Sequence, residues 1–144
     1  MNTRDTRVLS NKGEARSNGS EFPCVIVPLP LPPRELHPNA RPHYMTKARA
    51  TKKYRQRAWA EAVCAMGGFG QQWKRAECQA VFYVRDRRRR DRDNLLASLK
   101  AAFDGVTDAH VLEDDAGLVH KPVDVQVDRS NPRVELHITR LGPP

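Results

Sequence analysis

The feature that most restricts how this chain can fold is an abrupt change of hydrophobic period in its centre. "AECQAVFYVRD" alternates, with Val81, Tyr83 and Arg85 on one face and Phe82 and Val84 on the other, the signature of a strand. Directly after an arginine run, "NLLASLKAAFDG" switches to helical spacing, with Leu95, Leu99, Ala102, Phe103 and Val106 on one stripe. Asp93 or Asn94 can cap the start of this helix and Gly105 suits its end. A strand leading into an amphipathic helix has two apolar faces to cover, which calls for a layered fold.

The flanking segments supply the layers. "CVIVPLPLPP" from Cys24 is a β-rich run whose prolines confine it to a sheet edge. Residues from Thr46 to about Met66 form a second helix, with Thr46 as N-cap, a glycine pair as stop, and Tyr54, Ala58, Ala62 and Ala65 as its buried stripe. Two β segments close the chain, "VHKPVDVQV" and "RVELHITRL", with "DRSNP" predicted as a hairpin turn between them. The order β, α, β, α, β, β predicts an α+β fold: a single domain over residues 23–144 with a small mixed or antiparallel sheet and two main helices packed on it. Residues 1–22 are polar, mixed in charge and without periodicity, and read as a flexible tail.

Charge narrows the partner. A net charge of +8 in 144 residues points to a polyanion. Three cysteines without Cys-x-x-Cys spacing, five scattered histidines and no Gly-x-Ser-x-Gly argue against a disulfide framework, a zinc knuckle and hydrolase-type nucleophilic catalysis. No apolar run reaches the ~18 residues of a membrane span, so a cytoplasmic protein without membrane contact is expected.

The segment "RDRRRRDRDNLL" then poses a chemical problem. Carboxylates set among arginines weaken a surface that has only to hold phosphates. They belong there if a cation bridges the two. Asp91 and Asp93, two residues apart, project from one face of an extended segment, and hard oxygen ligands of this kind suit Mg²⁺ or Mn²⁺ together with water and substrate phosphate. A further acidic pair, Asp114 and Asp115, follows the helix. Taken singly, each of these residues reads more readily as a solubility charge or a helix cap, and only the constellation favours the metal reading.

Read together, "DRRRRDRDN", "KAAFD" from Lys100 to Asp104 and "EDDAGLV" resemble the RusA family of Holliday junction resolvases, with "PNARPHY" and the "KARA" segment adding to the likeness between Val25 and Leu141. The resemblance implies a Mg²⁺-dependent endonuclease of bacteria and their phages that nicks four-way junction DNA as a homodimer. It also implies Asp91, Asp93 and Asp115 as the metal-site carboxylates, with Asp114 the alternative for the third, and Lys100 and Arg90 as further site residues. Arg87, Arg88, Arg89 and Arg90, with Lys47, Lys52 and Lys53 of the first helix, are the expected DNA contacts. Two other readings compete: a non-catalytic junction-binding phage accessory protein, and a metal-dependent nuclease of different substrate geometry.

Lys100 departs from the family pattern, in which the lysine comes sooner, at the place of Ala97. On one continuous helix, positions four and seven beyond Asp93 lie about 40° and 20° from it, on the same face, with the second displaced by ~4.5 Å along the axis. A catalytic Lys100 is the expectation from that phase.

Overall fold

The computed structural model describes residues 23–67 and 72–142, so the tail expected over residues 1–22 lies outside the described residues. Its elements are β1 (Cys24–Leu29), α1 (Tyr44–Met66), β2 (Ala76–Val84), α2 (Arg92–Ala97), α3 (Lys100–Asp108), β3 (Leu118–His120), β4 (Asp124–Val127) and β5 (Arg133–Arg140). Short 3-10 turns at Arg34–Leu36 and Asp115–Gly117 connect them. The described strands form one mixed five-stranded sheet of order β1-β5-β2-β3, with β4 beside β3 on the same flank of β2. This is the expected α+β domain. No helix among the described residues is long and apolar enough to cross a membrane.

Alternation decides which face of the sheet is covered. Cys78, Ala80, Phe82 and Val84 of β2, Val134, Leu136 and Ile138 of β5, and Val27 and Leu29 of β1 are all buried. They join Tyr54, Ala58, Ala62 and Met66 of α1 and Ala102 and Val106 of α3 in one cluster. Burial of this core pushes the Cys78 thiol up to about 12, which leaves it an inert apolar filler. Gly105 is needed where α3 crosses α1, because a Cβ there would lie 2.3 Å from the Arg55 carbonyl oxygen. Its place is the middle of α3, not the C-cap the sequence offered.

The other face carries a polar cluster. The Arg133 guanidinium stacks 3.8 Å above the Tyr83 ring. It also donates to Glu135 at 3.0 Å and to Asp128 at 2.9 Å. His137 Nε2 lies 3.0 Å from the other Glu135 oxygen. The His137 hydrogen bond, joined by Arg133, holds the Glu135 carboxyl below the usual carboxylate range against the opposing effect of burial.

Four local expectations are corrected. Helix α1 starts at Tyr44, where His43 Nδ1, in place of Thr46, accepts the Met45 amide at 3.2 Å. The single central helix is two: Leu99 N–H turns to the Leu96 carbonyl, and Ser98 Oγ donates to Leu95 O at 2.6 Å, a local bond that bends helices. "VHKPVDVQV" splits into β3 and β4, both parallel to β2. The "DRSNP" turn is no hairpin, because β4 and β5 flank β2 on opposite sides.

Candidate active site

Where β2 ends at Val84, the chain enters a loop and then α2. Asp86 to Asp93, with Val125, Gln126 and Val127 of β4, line an open cleft of about 950 Å³. The loop is held by its own charges. Asp86 accepts the Arg88 amide at 3.0 Å and Arg90 Nη2 at 3.0 Å, while Arg90 Nη1 donates to the carbonyls of Asp86 and Arg88. Those two contacts, the amide first, keep the Asp86 carboxyl below the usual range. Arg92 Nη1 reaches the Val123 carbonyl at 2.5 Å and pins the start of α2 to the entry of β4.

The arginine run therefore divides by task. Arg90 and Arg92 use their guanidinium groups on the protein itself. Arg87, Arg88 and Arg89 are exposed, Arg88 with 80% of its side chain accessible and its Nε 3.6 Å from Asp86. Asp86 escaped the sequence reading; its signal was an acid four residues before Arg90, ready to close a loop.

Asp91, and neither Asp93 nor Asn94, caps α2. Its Oδ1 accepts the Asp93 and Asn94 amides at 2.9 and 3.2 Å, and its backbone is extended at φ −80°, ψ 116°. Asp93 sits in the first turn of α2, so the two carboxylates meet across a helix start and not along an extended segment. With one Asp91 oxygen engaged by amides, the other Asp91 oxygen and the exposed Asp93 carboxylate remain in an arginine-rich cleft. That donor set fits a Mg²⁺ ion, which takes one or two carboxylates and completes its octahedron with water and phosphate oxygens.

The acidic pair lies elsewhere. The backbone of Asp115 opens the 3-10 turn Asp115–Gly117, whose chain continues into β3, and Leu118 of β3 pairs with Ala76 at the beginning of β2. Asp114 Oδ1 accepts the Ala116 amide at 3.2 Å. Asp91 and Asp93 belong instead to the loop and helix start that follow the opposite, C-terminal end of β2. Among the described residues no three His, Cys, Asp or Glu side chains gather to hold a metal; the Asp115 side chain is not among those described. Lys100 starts a separate helix, beyond the bend at Ser98–Leu99, with 84% of its side chain exposed and its Nζ 3.9 Å from Asp104. It does not line the cleft. Asp93 and Lys100 therefore do not share one helical phase. Lys47, Lys52 and Lys53 are exposed on the first half of α1.

No family model matches the chain. Over 107 residues it is 31% identical to an uncharacterized protein of Xylella fastidiosa, an alignment spanning 69% of this chain and 66% of that one. Over 121 residues it is 35% identical to the crossover junction endodeoxyribonuclease RusA of Escherichia coli K12, covering 81% of this chain and 94% of the relative. The Shigella sonnei protein of the same name matches with the same identity and coverage. On the strength of that nearly full-length likeness, the chain belongs to the RusA family of crossover junction endodeoxyribonucleases.

Proposed function

We propose that this protein is a Mg²⁺-dependent endonuclease that resolves four-way DNA junctions by paired nicking in the cytoplasm, with Mn²⁺ able to replace Mg²⁺. The observation that carries the reading is the pair of carboxylates, Asp91 and Asp93, at the mouth of a helix inside a cleft of exposed arginines. Asp91 and Asp93 hold the cation. When bound, the cation supplies charge neutralisation at the scissile phosphate and raises the acidity of a neighbouring water. Arg87, Arg88 and Arg89 bind the flanking phosphates, while Arg90, clasped to Asp86, fixes the loop from which Asp91 projects. Lys100 balances charge near the attacked phosphate from outside the cleft wall.

Asp115 is the third carboxylate of this reading. Its place just before β3, beside the start of β2, while Asp91 follows the end of β2, supports a shared site in which one copy contributes the Asp91 end and a second copy the Asp115 end. A C2 dimer then holds two such sites, matching the approximate two-fold symmetry of a four-way junction. The test is cleavage of a mobile junction, a duplex and a single strand, each with and without Mg²⁺. Paired nicks confined to the junction and dependent on Mg²⁺ are expected. Junction binding without nicking would leave only a binding protein, and equal cleavage of duplex would remove junction selectivity.

A further inference from the structure

A second groove lies between α1 and the proline-rich exit from β1. Pro30 and Pro33 form one wall, and Arg49, Lys53 and Arg57 line the other. These three cations recur every four residues of α1, a step of ~6 Å, so they make a straight row beside the buried Tyr54–Ala58 stripe. The proline wall is fixed to the helix, because Tyr54 Oη donates to the Pro30 carbonyl at 2.7 Å. Arg49 and Lys53 form no ion pair among the described residues, whereas Arg57 is joined to Glu61 at 3.0 Å. Glu35 is the acid among the lining residues. By contrast Arg55, one step round the helix, is held by Asp108 at 2.6 Å and is not available to a ligand.

The position of this row matters as much as its charge. Leu29 at the end of β1 pairs with Val134, Val134 pairs with Phe82 near the end of β2, and Val84 pairs with Val127 at the end of β4. The groove and the arginine cleft thus open at the same end of the sheet, three strand gaps apart. At ~4.8 Å per gap that is about 14 Å, and at ~3.4 Å of rise per nucleotide along one strand it spans about four nucleotides.

We propose that the α1 groove is a second phosphate subsite for the same DNA arm, with Arg49 and Lys53 gripping the backbone about four nucleotides from the phosphate held over Asp91 and Asp93. This rests on the nuclease reading above and adds to it an offset set by the strand spacing. Two grips on one arm fix its direction across the sheet end. A single cluster at the cleft would leave the arm free to pivot.

The experiment combines a protein change with a DNA change. Junction affinity of the wild type and of Arg49→Ala/Lys53→Ala is measured from low to physiological salt, on junctions carrying a neutral methylphosphonate at successive positions around the nick. Each lost phosphate contact lowers the slope of log affinity against log salt by about 0.9, so the double variant should be shallower by roughly two. Methylphosphonates near the fourth nucleotide on one side of the nick should weaken the wild type and leave the double variant unaffected, while those next to the nick weaken both. An unchanged salt slope, or loss of the double variant's sensitivity only at the nick itself, overturns the subsite. A wild type that binds the junction without nicking it would overturn the nuclease reading and leave the binding offset measurable. A wild type that does not bind the junction overturns both.

Discussion

The two ends of β2 make an instructive contrast. At its C-terminal end the chain builds a cleft mainly from one continuous stretch, Asp86 to Asp93, in which two of the three acidic residues are engaged locally: Asp86 by Arg90, Asp91 by two amides. At its N-terminal end the acidic segment arrives from a distant part of the sequence and docks through backbone contacts, the Glu113 amide to the Trp73 carbonyl and Gly117 against Lys74. One end is self-sufficient in architecture yet short of ligands. The other carries the candidate Asp115 on a 3-10 turn that leads into β3.

The strongest way to break that contrast is complementation. Asp91→Asn and Asp115→Asn should each lower nicking about a thousandfold, ~4 kcal/mol of barrier, with junction affinity nearly intact because the arginines remain. Asp93→Asn should behave as Asp91→Asn. Mixing Asp91→Asn with Asp115→Asn chains should restore single nicks, since a mixed dimer regains one whole site. No recovery on mixing, with mixed dimers verified, would mean that each chain completes its own site.

A smaller effect concerns the frame that holds the two ends apart. Gly105→Ala drives a methyl toward the Arg55 carbonyl, and overpacking of this kind costs about 1–3 kcal/mol. Chemical denaturation should record that loss. A stability equal to wild type would mean that α1 and α3 are free to separate at no cost.

Lys100 sharpens the comparison further, because it falls between the two acidic segments in sequence yet starts a helix of its own. Lys100→Ala should reduce nicking about tenfold, ~1.4 kcal/mol. Ala97→Lys should not restore it, because the bend at Ser98–Leu99 breaks the shared phase with Asp93. Restoration would show that the helix straightens on DNA.

The smallest effect lies on the polar face of the sheet. Glu135 has a folded carboxyl shifted below its unfolded value, so its contribution is present above the ordinary Glu range near 4.5 and is lost as pH falls through the lower folded value. Glu135→Gln should thus cost about 1 kcal/mol at neutral pH and approach wild-type stability in acid. A deficit independent of pH would exclude the carboxylate charge as its source.

Much of this architecture was legible in local pattern. Alternation from Ala76 to Val84 identified the central strand and both of its faces, and the Tyr54, Ala58, Ala62 spacing gave α1. The arginine-bounded carboxylates Asp91 and Asp93 line an open cleft. What escaped was set by contacts distant in sequence. Nothing local in "VHKPVDVQV" says that it will run parallel to β2 on the flank opposite β5, and that pairing is what carries Asp115 away from Asp91. The inward turn of Arg90 and Arg92 was equally hidden, since an arginine in a run looks the same whether its partner is a phosphate or a carbonyl. Ser98 concealed the helix bend because its hydroxyl finds the Leu95 carbonyl only once the helix exists.

The capping role of Asp91 also sets an order of events. Folding has already removed the rotational freedom of this side chain, because Oδ1 is tied to two amides before any cation arrives. A metal binding there would meet a ligand already ordered by the fold, which lowers the entropic cost of capturing it. The same tie narrows what can stand at this position. Glutamate keeps the charge but adds a methylene between it and the helix start, so the ligand and the cap would no longer be one group.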